Sequence, residues 1–307
     1  MSVDILMATY NGEKYLRNQL LSLQQQTYDD WILWVRDDGS TDTTLAILED
    51  FARKDTRIRI VYEGSGSGLG AGKNFLGLTK YSSSEYAIFC DQDDIWFEKK
   101  IELLVLWAKT NTRSDKPSLV YCDAYGYSDE QGIITISSVS EAHAQSLQEF
   151  LFFNAGYQGC SMLLNRSLCQ MTAAYRAGYF HMHDDVVSLL AHTFGIVSFM
   201  PKKLMLYRQH EFNVTGNIKV DFCSKFKRAL NFHAAVLSEK HYLEKESFYH
   251  AYNRDLGLLE RKLFEAYLSF PKVSRFRRIN LVLWNRFSLG GKKLKLIVKT
   301  LIRKPLG

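Results

Sequence analysis

Between Val3 and Cys90 the chain repeats one pattern: a short apolar run, a polar turn, then an amphipathic segment at helical spacing. Val3–Thr9, Trp31–Arg36, Arg57–Tyr62 and Tyr86–Cys90 read as strands. Glu13 to about Gln26, Thr41–Arg53 and Lys73–Tyr81 read as helices, the second with Ser40 or Thr41 near its N-cap. Strands alternating with helices imply βαβ units and a largely parallel sheet with helices on both faces. In such sheets ligands bind beyond the carboxyl ends of the strands. The polar residues cluster there: Thr9-Tyr10-Asn11 after the first strand, Asp37-Asp38-Gly39-Ser40 after the second, Asp91-Gln92-Asp93-Asp94 after the fourth.

The last cluster carries the most chemistry. Carboxylates gathered at the end of a buried strand are costly unless neutralised, and a hard divalent cation does this well. Mg²⁺ or Mn²⁺ prefers a few carboxylates plus substrate phosphate oxygens, so the cluster suggests a metal–diphosphate site. The plainer alternative is a polar loop in which Asp94 caps a helix starting near Trp96.

Beyond Glu98 the pattern is mixed. Leu119–Asp123, Ile133–Ile136, Cys160–Asn165, Ile196–Phe199 and Lys203–Tyr207 read as strands and His183–Thr193 as a helix. From about Lys219 helical patterns dominate, so we expect one domain over residues 1–216 and a helical, basic region over 217–307, divided near Thr215-Gly216-Asn217.

Composition narrows the setting. No stretch approaches the roughly 18–20 apolar residues of a membrane-spanning helix, and the N-terminus shows no signal-peptide pattern. The five cysteines include no Cys-x-x-Cys, which argues for reduced thiols in a cytosol. After Glu265 there is no acidic residue but eleven Lys/Arg, from Lys272 to Lys304; without them the net charge of +6 becomes −5. In Lys292–Lys304 cations alternate with apolar residues at helical spacing, which suits an anionic membrane surface. No motif supports nucleic acid as the partner. Two other signals are weak. Gly66-x-Gly68-x-x-Ala71 follows the third strand rather than the first, and Gly72-Lys73 lacks the first glycine and the Ser/Thr of a P-loop. His181-x-His183 with Asp184 and Asp185 admits a zinc site or incidental histidines.

The ordered series resembles the family 2 glycosyltransferases, inverting enzymes of the GT-A fold, and within them a rhamnosyltransferase-like branch. It is carried by Val3–Asn11, Tyr15-Leu16, Gln26-Thr27-Tyr28, Asp37-Asp38-Gly39-Ser40-Thr41-Asp42, Gly70 with Asn74-Phe75, and Asp91-Gln92-Asp93-Asp94-Ile95-Trp96. Gly159-Cys160-Ser161-Met162, His183-Asp184 and Tyr207-Arg208-Gln209-His210 with Asn213-Val214 extend it to about Gly216. The resemblance implies an α/β fold with a mixed, mostly parallel sheet flanked by helices and a helical C-terminal extension. It implies attack by an acceptor hydroxyl on the anomeric carbon of a nucleotide-diphospho-sugar. Asp93 is then the leading Mn²⁺ or Mg²⁺ ligand, with Asp91 at the ribose or the metal and His210 a late-strand ligand. Asp94 contacts the sugar or caps a helix. Asp184 matches the general base, with its neighbour Asp185 as fallback, and His183 orients the base, contacts the donor or packs.

For the donor's nucleoside end the resemblance points to Thr9, Tyr10 and Asn11, with Asp37 or Asp38 accepting from N3–H of uracil or thymine. Asn74 and Gln92 complete the donor-binding candidates, while Lys73 for a phosphate and Gln158 for the acceptor are further options. The expected donor is dTDP-rhamnose first, then UDP-galactose, UDP-glucose or a UDP-N-acetylhexosamine. The expected acceptor is a glycan or lipid-linked hydroxyl in surface polysaccharide assembly, at the inner face of the cell membrane. A sugar nucleotidyltransferase and a non-catalytic nucleotide-sugar-binding module are the competing readings. The first would want a basic glycine-rich loop after the first strand, and the second needs no base.

Overall fold

A computed structural model describes residues 2–63, 68–135, 143–154, 156–210 and 234–307. Asn213-Val214, the expected division near residue 216 and part of the glycine-rich segment therefore lie outside the described residues. The chain divides into two units. The first comprises residues 1–141, 157–174 and 182–220, the second 142–156, 175–181 and 221–307.

The first unit is built on a sheet of β1 (Val3–Thr9), β2 (Trp31–Asp37), β3 (Ile58–Ile60), β4 (Tyr86–Cys90), β5 (Ile95–Trp96), β6 (Ser118–Ser128), β7 (Gly132–Thr135), β8 (Met162–Asn165) and β9 (Ile196–Arg208). The strand order is β3-β2-β1-β4-β8-β6-β9-β5, with β7 on β6. The first four strands are parallel; β8 enters antiparallel between β4 and β6, and β9 runs parallel to β6. The sheet is thus mixed and flanked by helices, as expected for GT-A. Its helices are α1 (Leu16–Gln24), α2 (Thr44–Lys54), α3 (Ala71–Leu78), α4 (Lys100–Asn111), α6 (Arg166–Ala173) and α7 (His183–Phe194), with α5 (Leu147–Leu151) falling in the second unit.

Burial explains the strand positions. Val3, Ile5, Leu6 and Met7 of β1 and all five residues of β4 are buried, as strands covered on both faces require. Asp4 is the polar exception inside β1. Its carboxylate accepts from Trp34 Nε1 (3.0 Å), Ser82 Oγ (3.0 Å) and the backbone N–H groups of Ser83 (2.9 Å) and Ser84 (2.8 Å), so it fixes the turn that feeds β4.

Two expectations change. The helix expected near Trp96 starts at Lys100, and Ile95-Trp96 instead form a short strand opposite Leu206 and Met205, so Asp94 caps no helix. The two late strands are one, because β9 continues through Pro201 while its register against β6 shifts at Cys122/Asp123.

The second unit is helical. Around α5 it contains α8 (Glu239–Tyr252), α9 (Leu258–Ser269), α10 (Arg275–Trp284) and α11 (Lys293–Ile302). Its core is aromatic: Phe152 meets Tyr267, Phe270 and Phe287 with ring centroids 5.4, 5.1 and 4.9 Å away. Among the described residues no helix is long and apolar enough to cross a membrane.

Candidate active site

The carboxyl ends of β1 and β2 form one cross-linked shelf. Thr9 Oγ1 donates to Asp37 Oδ1 (2.9 Å), which also accepts from Ser40 Oγ (2.6 Å). Asp37 Oδ2 accepts from the N–H groups of Gly39 (3.0 Å) and Ser40 (2.7 Å). Asp38 reaches the other way, accepting from the N–H groups of Leu69 (2.9 Å) and Gly70 (2.7 Å) at the start of α3. Gly70 sits at φ 76°, which only glycine adopts without strain, and this aims its N–H at Asp38. Each Asp38 oxygen keeps a lone pair, whereas Asp37 is saturated by its own turn, so Asp38 is the better acceptor for a base N–H.

Asn11 lies at φ 45°; its N–H donates to Ser40 Oγ (2.8 Å) and its Oδ1 accepts from Thr41 N–H (2.9 Å). Tyr10, between these braces, is 57% exposed and offers a free stacking face. Its backbone is gripped by Gln92, which accepts from Tyr10 N–H and donates to Tyr10 C=O, both at 2.9 Å.

The β4 end gathers the carboxylates. Asp93 Oδ2 lies 2.8 Å from His210 Nε2, joining positions 117 residues apart. His210 stacks on Tyr15 (5.1 Å between centroids). Beside it the buried Arg208 donates from Nε to Asp93 C=O (2.7 Å) and from its backbone N–H to Asp94 Oδ1 (3.1 Å), and it pairs with Asp129. Asp91, Asp94 and Cys160 bring ligand atoms within 4.8 Å of one another. Burial first, then the neighbouring carboxylates, push the Asp91 and Asp94 carboxyls above the ordinary range. Lys100, fully buried, counters them from below; its Nζ donates to Cys160 C=O (2.7 Å) and lies 3.7 Å from the Trp96 ring centroid.

These donors suit a divalent cation. Two cis ligands about 2.1 Å from an octahedral ion lie about 3 Å apart, close to the 2.8 Å separating Asp93 Oδ2 from His210 Nε2. Among the described residues Asp94 Oδ2 is buried without a hydrogen-bond partner, a cost that a cation within reach would remove. A carboxylate–imidazole set favours Mn²⁺ over Mg²⁺.

Helix α7 is anchored at the same end of the sheet. His183, its first residue, stacks on Phe75 of α3 (4.2 Å) and meets Phe89 of β4 edge-on (4.7 Å). A Cβ on Gly159 would stand 2.4 Å from His183 Nε2, so only glycine fits opposite the ring. Burial drives the His183 pKa down to about 3, so the ring is neutral, and among the described residues neither ring nitrogen has a hydrogen-bond partner. Asp184 follows in the first turn, half-buried, where the helix dipole favours an anion. Asp185 is buried.

Two donor-binding candidates are engaged within the protein itself. Asn74 is fully buried: its Oδ1 accepts from Arg36 Nε (2.7 Å) and its C=O from Arg36 Nη2 (3.0 Å), so it braces β2 against α3. The Gln92 amide is engaged on both sides by Tyr10, so it ties two loops together. Lys73 is exposed, and Gln158 Oε1 is buried without a partner. Sequence reasoning missed Lys100, Cys160 and Tyr15 as parts of this centre. A lone lysine four residues after Trp96 is the hint of the first, while Tyr15 and Cys160 lie in segments that carry the resemblance but show no role by themselves.

Comparison with known proteins bears on the family and the fold. The family profile for glycosyl transferase family 2 matches residues 4–181. The dTDP-rhamnosyl transferase RfbG of Shigella flexneri is 32% identical over 232 residues, 72% of this chain and 77% of that protein. The Escherichia coli protein WfgD, a UDP-Glc:alpha-D-GlcNAc-diphosphoundecaprenol beta-1,3-glucosyltransferase, is 34% identical over 103 residues, 34% of this chain and 39% of that one. Among solved structures, S. aureus TarS 1-349 in complex with UDP-GlcNAc superposes with a TM-score of 0.58 at 18% identity, covering 98% of this chain and 89% of that chain; this is a likeness of fold.

Proposed function

This chain belongs to glycosyl transferase family 2, and we propose that it transfers rhamnose from dTDP-rhamnose to a hydroxyl of a glycan or lipid-linked acceptor in surface polysaccharide assembly. The observation that carries the reading is the contact between Asp93 and His210, which joins the β4 and β9 ends into a candidate diphosphate-metal site. The choice of rhamnose rests on the likeness to RfbG over 72% of the chain. A UDP-hexose donor is the second reading, favoured by the shorter likeness to WfgD. We assign the reaction to the inner face of the cell membrane because of the cation-rich C-terminal helices.

In this reading the pyrimidine lies over the β1–β2 shelf, with Tyr10 against its face and Asp38 accepting from N3–H. Asp93 and His210, with Asp91, would hold a divalent cation, which would supply positive charge against the leaving diphosphate. Asp184 accepts the acceptor hydroxyl's proton as that oxygen bonds to the anomeric carbon and the bond to the diphosphate oxygen breaks, with inversion. Asp184 is preferred to Asp185 because it is half-exposed while Asp185 is buried. His183 sets where α7 begins and so where Asp184 points.

The test is a panel of dTDP- and UDP-sugars with Mn²⁺, Mg²⁺ or chelator, read as melting-temperature shift and as nucleotide release. Asp93→Asn and His210→Ala should each remove the metal-dependent part of the donor's shift. Asp184→Asn should keep that shift and lower transfer by about 10²-fold or more. Full transfer in chelator, or by the Asp184 variant, would overturn the assignment.

A further inference from the structure

Two helices of the C-terminal unit turn apolar side chains away from their own core. Helix α10 buries only Val282, while Phe276 is 82%, Trp284 81% and Leu283 44% exposed. At about 100° per residue, Phe276, Leu283 and Trp284 fall in one stripe, roughly opposite Val282. Arg277 borders that stripe beside Trp284, while Arg275 falls nearer Val282. Helix α11 repeats the design. It buries Leu296 and Thr300, while Leu294 is 72% exposed and Val298, Leu301 and Ile302 are between 42% and 45% exposed. These four follow i, i+4, i+7, i+8 spacing, with Lys293 on one side of the stripe and Lys295 and Lys299 on the other. The two helices pack on one another across the turn Leu289–Lys292, where Gly290 and Gly291 both adopt positive φ.

A surface helix of a globular unit has one apolar face, and that face is buried. Each of these has a second one, exposed and bordered by cations. We propose that α10 and α11 form a docking surface for a bilayer containing anionic lipid, with Phe276, Trp284 and Leu294 entering the headgroup–acyl boundary. This rests on the membrane-face reading above and names the surface that would serve it.

Charge selects the occupant: the chain carries no acidic residue after Glu265, so the pair has nothing of its own to neutralise its Lys and Arg side chains. Lipid phosphates do so while acyl chains take the apolar stripes, and a tryptophan with one wet end suits that boundary. A second copy of the chain would set the same cations against each other. A nucleic acid would meet the cations but leave Leu294, Val298 and Leu301 in water.

The experiment uses the full chain in flotation with vesicles of phosphatidylcholine alone or mixed with phosphatidylglycerol. Binding should require phosphatidylglycerol and weaken with added salt. The combined substitution Phe276→Ser, Trp284→Ser and Leu294→Ser should lower the bound fraction about ten-fold or more. Lys293→Glu with Lys295→Glu, which alters only exposed groups, should do likewise if the apolar variant melts early. Brominated lipid should quench tryptophan emission in the parent and less so in Trp284→Phe. Equal flotation on both vesicle types would overturn the proposal, as would retained binding by both variants. So would a dimer in solution that the apolar variant dissociates, or binding of RNA in preference to vesicles. Flotation needs neither donor nor acceptor, so its failure leaves the transferase assignment standing, and a failed transfer assay leaves this surface standing.

Discussion

Helix α7 carries two histidines, His183 and His192, whose burial pushes each pKa down to about 3. His192 meets the Tyr157 hydroxyl at 2.8 Å. A histidine depressed in the folded state leaves stability untouched above its unfolded pKa near 6.5 and removes it as pH falls below that value, because only the unfolded chain takes up the proton. At pH 5 the loss is about 1.5 pH units at about 1.4 kcal/mol each, or about 2 kcal/mol per histidine. That is a large part of the roughly 5–15 kcal/mol that holds a typical domain together. The Asp91, Asp94 and Glu244 carboxyls are raised instead, so they act in the opposite sense over part of this range. A variant separates the two. His192→Phe should lose about 1 kcal/mol at pH 7.5, from the lost hydrogen bond to the Tyr157 hydroxyl, but should be spared its share of the acid loss. The gap between parent and variant should therefore move by about 2 kcal/mol in the variant's favour between pH 7.5 and pH 5. Urea unfolding followed by tryptophan fluorescence measures it, since Trp31, Trp34, Trp96 and Trp107 all belong to the sheet-bearing unit. A gap that stays constant over this range would show that His192 titrates alike folded and unfolded, and the argument from burial would fail.

Gly159→Ala sets a methyl 2.4 Å from His183 Nε2, in a ring site already closed by Phe75 and Phe89. We expect kcat to fall about ten-fold or more as α7 is re-aimed, and parental kcat would count against His183 as the positioner of Asp184. Lys100→Met keeps the bulk of a fully buried side chain but removes the charge beneath Asp91 and Asp94. It should cost about 3–5 kcal/mol in denaturant unfolding at pH 7.5; a loss below about 1 kcal/mol would mean that those carboxyls do not rely on its charge.

Of the first four strands, β1 and β4 were most legible because each is an apolar run buried on both faces, and strands of that kind leave a plain mark on sequence. Ile95-Trp96 was not, because two residues carry no period and their partners, Leu206 and Met205, lie more than a hundred residues on. Pro201 and the lysines after it disguised β9 as two strands, since Pro201 and Lys202 are extra residues of β9 set between the partners of the adjacent Cys122 and Asp123. At the site, residue type marked polar strand ends but not the partner of each side chain. Asn74, Asp37 and Gln92 are polar for the sake of neighbouring chain segments, whose hydrogen-bonding groups they satisfy. Sequence gives a polar residue the same look whether its partner is a ligand or a backbone amide. The Asp93–His210 contact could be suggested by resemblance, but the distance needed the fold.

The grip of Gln92 on Tyr10 reaches beyond local tidiness. Its amide meets both backbone polar groups of Tyr10 as a neighbouring strand would, although β1 and β4 have already ended. A side chain thus prolongs the ladder by one rung into the loops. The two ledges on which a nucleotide's base and diphosphate would rest are consequently riveted together before any donor arrives. Little ordering is left for binding to impose, and a loosened rung, as in Gln92→Ala, would make affinity rather than architecture the first thing to suffer.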